Sequence, residues 1–255
     1  MFKYISMHLK SQLEYKSSFI LLSVSQILTF LTYCLTFYSL YERFGAVKKF
    51  SIYQVMICFS IVQFGESFSE ALLRGFDKFS ELIKSGKFDL LLIRPQNIYL
   101  QVIGSKMELS KITKSFFSIL LLIYAIIKLK IYLNPINLLI VLLMLAGSCI
   151  IFASIFVLGA ALCFKTVEGL EIVNIFVYGT RDFAQYPIGM YNRVIQIFFT
   201  YLIPMAIATY FPMLYITGQV TSIWYAVMPL LTLLTLIPSC IIFNCGVKSY
   251  KSCGG

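Results

Sequence analysis

The dominant pattern along the chain is a series of long apolar runs separated by short polar segments. The runs cover residues 19–41, 52–73, 106–127 and 136–164, and two more begin near residues 194 and 223. An apolar run of about 20 residues crosses a hydrocarbon core of roughly 30 Å as a helix. The pattern predicts an all-α integral membrane protein with six transmembrane helices, forming a single membrane domain over residues 1–255.

Composition supports this class. Hydrophobic residues make up 59% of the chain and charged residues 13%, and the mean hydropathy is +0.85. Soluble domains contain about half apolar and about a quarter charged residues, so a soluble fold is excluded.

The first sixteen residues have a different pattern from the spans. Phe2, Ile5, Leu9 and Leu13 recur at spacings of three and four, and lysines lie elsewhere around the helix. This spacing predicts an amphipathic helix in the membrane interface over residues 1–16. The alternative is a frayed basic terminus that only enforces topology.

The lysines and arginines predict which loops are cytoplasmic, because cytoplasmic loops retain positive charge. One side of the membrane receives sixteen of the 21 basic residues: Lys3, Lys10, Lys16, Arg74, Lys78, Lys84, Lys87, Arg94, Lys106, Lys111, Lys114, Lys165, Arg181, Arg193, Lys248 and Lys251. Both termini are therefore predicted to be cytoplasmic. The net charge of +10 indicates topology and contact with anionic membrane lipids rather than nucleic-acid binding.

The predicted cytoplasmic segment at residues 74–98 has helical periodicity. Asp77 is expected to cap a short helix, whose apolar face contains Phe79, Leu82 and Ile83, and Gly86 suits a left-handed position after its end.

The flanks of this segment are polar, with Glu81, Lys84 and Asp89, and Arg94-Pro95 predicts a sharp turn back to the membrane. Two alternatives fit the pattern: a solvated loop, or a lever on which an external partner presses. Periodicity alone does not separate them.

The second span contains unusual charges. Glu66, Glu70 and Arg74 are four residues apart and share one helical face. Charge within a span indicates a functional cavity by default, so Glu66 and Glu70 are a candidate translocation path that would favour cationic or amphipathic substrates. In the alternative, Glu70 pairs with Arg74 near the headgroups and only Glu66 is deep.

The segment at residues 165–193 is ambiguous. Gly179 and Pro187 interrupt its apolar run, and the basic ends at Lys165 and Arg193 place both ends on the cytoplasmic side. We expect an amphipathic or re-entrant pair that makes a second, smaller contact with a cytoplasmic partner.

The last two spans are rich in aromatic residues and proline. Pro204, Tyr210 and Pro212 are candidates for an outer gate, since proline removes a backbone hydrogen bond and kinks helices. For any single one of these residues, ordinary packing is the alternative.

Enzyme chemistry has little support in the sequence. His8 is the sole histidine, the cysteines show no C-x-x-C spacing, and the chain contains no G-x-x-x-x-G-K-[ST] phosphate loop. We therefore predict no catalytic residues, no metal site and no cofactor bound directly. If ATP drives this protein, another chain binds it.

Three stretches in order carry a resemblance to a known family. They are "SGKFDLLLIRP" followed by "QVIGSKMELSK", then "FAQYPIGMYNRVIQIFFTYLIPMAIATYFP", then the tail "GVKSYKSCGG". Together they resemble the permease subunits of bacterial type 2 ATP-binding-cassette (ABC) exporters. The resemblance implies a six-span half-transporter in the bacterial cytoplasmic membrane, with an N-terminal interface helix and a cytoplasmic coupling helix.

In that family the coupling helix docks onto a separate cytoplasmic ABC ATPase, which binds ATP and magnesium. The resemblance implies that docking role for Phe79, Leu82, Ile83, Lys84, Gly86, Asp89, Arg94 and Pro95. It also implies a second permease chain, identical or related, and export of a drug, peptide or lipid. The alternative is an ATP-independent transporter or a structural membrane partner.

Overall fold

A computed structural model of the chain describes residues 2–44, 50–131, 134–166 and 170–251. Its α-helices are α1 (Phe2–Glu14), α2 (Lys16–Phe44), α3 (Ile52–Asp77), α4 (Phe79–Lys84), α5 (Lys87–Ile93), α6 (Ile98–Ser105), α7 (Lys111–Lys128), α8 (Pro135–Leu162), α9 (Leu170–Ala184), α10 (Arg193–Ile197), α11 (Met205–Ala208), α12 (Tyr210–Ile216), α13 (Ile223–Val227) and α14 (Leu233–Ser249). Short 3-10 turns lie at Ile188–Met190 and Met228–Thr232, and a π turn at Phe198–Leu202. The all-α prediction is confirmed.

Helix α3 is the centre of the bundle, with most of its residues buried, and it packs mainly on α7 and α8. It begins at a capping box: the Ser51 side chain accepts from the Gln54 backbone N–H, and the Gln54 side chain accepts from the Ser51 N–H. Small residues let α8 approach closely, since Ser148 Oγ donates to the Ile61 carbonyl at 3.0 Å. The backbone of α3 kinks at Leu73.

Helix α8 begins where the sequence predicts. The Asn134 side chain accepts from the Asn137 N–H at 2.7 Å, and Pro135 takes the first helical position. On its other side α8 packs against α14, where the hydroxyls of Ser154 and Thr235 are 2.8 Å apart. Helices α3, α8 and α14 thus form a continuous core.

Four helices are long and apolar enough to cross a membrane, and a bent pair raises the number to five. They are α2, α3 with α4, α8, and α13 with α14; the bent pair, Arg193–Leu202 and Met205–Ile216, turns by 78°. The third predicted span, α7, is an 18-residue helix that includes Lys111, Lys114 and Lys128. The count of six spans therefore stays a prediction.

The segment around α9 crosses the bundle, contrary to expectation. Before it, Phe164 packs against Phe79, just past the C-terminal end of α3, with ring centres 5.2 Å apart. After it, a Cβ added to Gly189 would lie 3.2 Å from the ring of Phe50, just before α3 begins. A helix of the 26 residues of α3 rises about 39 Å. Phe164 and Gly189 therefore lie at opposite ends of α3, whereas the sequence predicts one membrane side for both ends of this segment.

The chain then forms a re-entrant hairpin. A Cβ on Gly189 would also lie 2.5 Å from the Tyr210 hydroxyl, so both residues lie at the Phe50 end. The chain between Gly189 and Tyr210 therefore leaves this end and comes back to it, with the bend of the pair at Pro204. The fifth predicted span, from residue 194, begins in this bent pair.

The two N-terminal helices are peripheral. His8 Nε2 lies 2.8 Å from the Gly104 carbonyl, and Gln12 Nε2 donates to the Met107 carbonyl at 2.7 Å. The predicted apolar face, with Phe2, Ile5, Leu9 and Leu13, has side chains outside the described part of the chain. Very little of the apolar stretch of α2 is buried, so α2 faces either lipid or another protein chain.

Candidate functional site

The segment predicted to meet a partner folds as α4 and α5 around a glycine turn. Gly86 has φ of 65°, in the left-handed region that a Cβ disfavours. Arg94 leaves α5 in an extended conformation, as the residue before Pro95 should. The predicted geometry at Gly86 and Arg94 is confirmed.

The start of α4 differs from the prediction. Asp77 is the last residue of α3, and its carboxylate accepts from Arg74 at 2.7 Å. Lys78 takes the cap position and makes no side-chain cap hydrogen bond. Asp77 does not cap α4, because the ion pair with Arg74 holds its carboxylate within α3.

The apolar face of α4 packs inside the chain. Phe79 and Ile83 are 0% and 3% exposed, and Phe88 of α5 is also fully buried. The Phe79 ring centre lies 5.0 Å from that of Phe88 and 5.5 Å from that of Phe243 in α14. The expectation that this face is free to meet a partner is wrong for Phe79 and Ile83, since the ends of α8 and α14 cover it. Leu82 remains partly exposed.

A surface groove runs between these short helices and the loop before α7. Its lining includes four basic residues, Lys78, Lys87, Arg94 and Lys106, and the acidic residue Glu81. Leucines 82, 90 and 91 add apolar surface. Lys106 Nζ pairs with Glu81 at 3.0 Å, but both are about half exposed, so that pair contributes little. The groove therefore combines an apolar floor with net positive charge; neither Lys84 nor Asp89 belongs to its lining.

Tyr99, near the start of α6, attaches α6 to α14. Its hydroxyl donates to Asn244 Oδ1 at 3.1 Å and also lies 3.3 Å from the Cys240 carbonyl. Both ends of the α4–α5 segment are thus bound to the bundle.

A buried ion cluster joins α3, α7 and α9. Glu66 is 2% exposed. It pairs with Lys114 Nζ at 2.8 Å and with Arg181 at 3.0 Å. Arg181 also pairs with Asp182 at 2.8 Å. Two cations around one carboxylate compensate the cost of burying it.

A second group of charges lies one turn further along α3. Glu70 pairs with Arg74 and, at 3.0 Å, with Lys111. Arg74 Nε also lies 3.0 Å from Glu108. The structure thus shows the predicted pairing of Glu70 with Arg74, which leaves Glu66 as the deep charge. A translocation path at these residues stays a prediction.

Sequence reasoning missed the partners of Glu66. Charge alone places Lys111, Lys114 and Arg181 at the cytoplasmic side, whereas all three contact acidic residues of α3 in the structure. The spacing of the lysines could have indicated this contact. Lys111 and Lys114 are three residues apart and so share a face of their helix, as Glu66 and Glu70 do on α3. Nothing in the sequence near Arg181 indicates a partner 115 residues away.

The predicted gate residues lie in the re-entrant hairpin. Pro204 occupies its bend, Pro212 is buried in α12, and the Tyr210 ring packs on Phe50 with centres 6.0 Å apart. Tyr210 thus lies at the Phe50 end of the bundle, whereas Pro204 lies at the bend away from that end. An outer gate at these residues stays a prediction.

Comparison with known proteins identifies the family. The sequence model for "ABC-2 family transporter protein" matches residues 26–254, which is nearly the whole chain. A search of curated proteins and a search of solved structures found no match. The chain belongs to the ABC-2 transporter family.

Proposed function

We propose that this ABC-2 family protein is the permease subunit of an exporter, and that a separate cytoplasmic ATPase binds and hydrolyses ATP with magnesium. The family assignment supports a membrane transport subunit that is not itself catalytic. The α4–α5 segment would be the site at which the ATPase acts. The exported molecule would be hydrophobic or amphipathic.

One observation carries the coupling proposal: the α4–α5 segment is built into the ends of two long helices. The Phe88 ring lies 5.5 Å from that of Phe164, after α8, and the Phe79 ring lies 5.5 Å from that of Phe243 in α14. Packed aromatic clusters are stiff. A displacement imposed on the segment would therefore move α8 and α14 with it, instead of bending a loose loop.

The groove supplies the docking surface. Its basic residues and leucines fit a partner surface that carries carboxylates around an apolar anchor. Phe79 and Ile83 would act by positioning the segment, and Leu82 would touch the ATPase. The segment proposed to meet the ATPase is therefore the one that the sequence predicts, but of its apolar residues only Leu82 would make the contact.

The same arrangement supports a topology. We place six crossings at α2, α3, α6 with α7, α8, α9 and α14, with both termini on the cytoplasmic side of a bacterial cytoplasmic membrane. A second permease chain, identical or related, would cover α2, which is hardly buried within this chain.

An ATP-independent transporter is the second candidate. The observation in its favour is the cluster of Glu66, Lys114 and Arg181, because ionisable groups within spans can couple transport to ions.

Photolabelling separates the two candidates. The tagged chain is purified from its native membranes in mild detergent and exposed to 8-azido-ATP. We expect the label on a co-purifying chain and not on this chain. Transport by the reconstituted chain without any nucleotide-binding partner would favour the ATP-independent candidate.

A matched pair of charge reversals tests the groove. Lys87→Glu lies in its lining, whereas Lys84→Glu lies on the same segment outside it. We expect Lys87→Glu to weaken ATPase association about tenfold and Lys84→Glu to have little effect, with a difference that shrinks at high salt. Equal effects in a binding assay with the purified ATPase would contradict docking at the groove.

A further inference from the structure

Helix α2 carries a regular stripe of hydroxyl groups on a face that the chain leaves exposed. Ser25, Thr29, Thr32, Thr36 and Ser39 recur at spacings of four and three, so they share one face. The three threonine hydroxyls each donate at 2.9 Å to the carbonyl four residues earlier. Their hydrogens are used within the helix, so their oxygens offer free lone pairs outward.

Helix α9 and the turn after it supply the facing wall. Gln185 is 7% exposed, and its Oε1 is buried without a hydrogen-bond partner. Gln185 and Tyr186 line a groove of about 470 Å³ together with Tyr33, Phe37 and the three threonines. Pockets for drug-sized ligands have volumes of about 300–1,000 Å³. An amide oxygen left unpaired in such a place is costly unless a ligand satisfies it.

The groove has a distinct chemical character. No charged side chain lines it within the described part of the chain. The threonine oxygens and Gln185 Oε1 are acceptors, and the groove also contains two tyrosine hydroxyls and the Gln185 amide N–H, which can donate. Hydroxyl groups both donate and accept, so a ligand rich in hydroxyls is complementary to this lining. The rings of Phe37 and Tyr186, 5.0 Å apart at a steep angle, offer apolar surface beside them. Arg181 lies 5.6 Å from the Tyr33 ring centre, but it is paired with Glu66 and Asp182, so it adds no unpaired charge beside the groove.

We infer that this groove binds the exported molecule through an uncharged head group rich in hydroxyl donors, with its apolar part against the aromatic rings. The inference rests on the proposed transport function and names its substrate class: neutral hydroxylated amphiphiles rather than the cationic ones that Glu66 alone suggests. Gln185 would accept from the head group, together with Thr29, Thr32 and Thr36.

Photo-cross-linking on the full-length chain in lipid nanodiscs tests this directly. The probe is an alkyl glucoside that carries a benzophenone on its alkyl chain. Two matched probes replace the glucose by trimethylammonium or by sulfate. Cross-linked positions are mapped by mass spectrometry, with unlabelled octyl glucoside as competitor. We expect the glucoside probe alone to label the groove residues competitively.

Variants assign the polar contacts. Gln185→Leu and Thr32→Val each remove an acceptor at similar volume, and each should weaken competition by octyl glucoside about tenfold. Ser39→Ala removes a hydroxyl of the same stripe outside the groove and should change nothing. Using two independent variants guards against a folding defect in one of them, which size-exclusion chromatography would reveal.

The outcomes are exclusive. Four results would each overturn the inference. They are equal labelling by the three probes, preference for the trimethylammonium probe, labelling outside the groove, and competition that neither variant changes. Chain-to-chain cross-links at Thr32 would also overturn it in discs where the glucoside probe fails to label the groove, because a second copy would then fill it. No ATPase is present in these discs, so failure here leaves the azido-ATP result intact, and the reverse also holds.

Discussion

Truncation of Phe79 distinguishes a core residue from a docking residue. Phe79→Ala removes a fully buried ring that packs on those of Phe88, Phe164 and Phe243 at 5.0–5.5 Å. Replacing a buried phenylalanine by alanine typically costs about 3–5 kcal/mol, including the cavity left behind. We therefore expect Phe79→Ala to lower the free energy of unfolding by about that amount.

Two comparison variants show how much stability is lost when a less buried apolar side chain is truncated. Leu82 is partly exposed and lines the groove, so Leu82→Ala should cost only about 1 kcal/mol of stability while weakening ATPase binding. Phe116 on α7 is 57% exposed, and Phe116→Ala makes the same chemical change at a surface ring. We expect it to cost less than about 1.5 kcal/mol.

The measurement is unfolding in mild detergent by titration with SDS, followed by far-UV circular dichroism, together with ATPase co-purification for each variant. Burial predicts that Phe79→Ala shifts the unfolding midpoint strongly and Leu82→Ala shifts it slightly. If Phe79→Ala unfolds like the wild type yet loses ATPase binding, Phe79 lies at the interface and the reasoning from burial is refuted.

Two further predictions concern the ion cluster and the chain path. Glu66→Gln should lower the free energy of unfolding by about 3–5 kcal/mol, because it leaves Lys114 buried without its partner. Adding Lys114→Met should restore about 1–3 kcal/mol in the same SDS titration. If the losses of the two single variants simply add, the pair is uncoupled. Arg193→Cys should react with an impermeant maleimide in intact cells, whereas Lys165→Cys should react only after permeabilisation; protection of both would restore the same-side arrangement.

The features that the sequence predicts well are local ones. The boundary at Asn134-Pro135 and the left-handed turn at Gly86 follow from the backbone preferences of those residues, and the structure has both. The long apolar runs of α2, α3, α8 and α14 likewise identify candidate spans.

The sequence predictions that differ from the structure share one physical cause: each depends on contact between distant parts of the chain. Periodicity shows that Phe79 and Ile83 share a face but does not show that α14 covers it. Helix α9 has only 15 residues, shorter than a usual span of about 20, so the crossing that we propose there has no hydropathy signal. Arg181 counts as a loop charge until its contact with Glu66 is known.

The contact between Glu66 and its two cations also has a consequence for biosynthesis. Lys114 follows Glu66 by 48 residues and Arg181 follows it by 115. At about 5–20 residues per second, the ribosome makes Lys114 about 2–10 s later and Arg181 about 6–23 s later. During that interval Glu66 has neither cation, a costly state in hydrocarbon. Helix α3 should therefore wait beside the insertion machinery and enter the bilayer as a pair with α7.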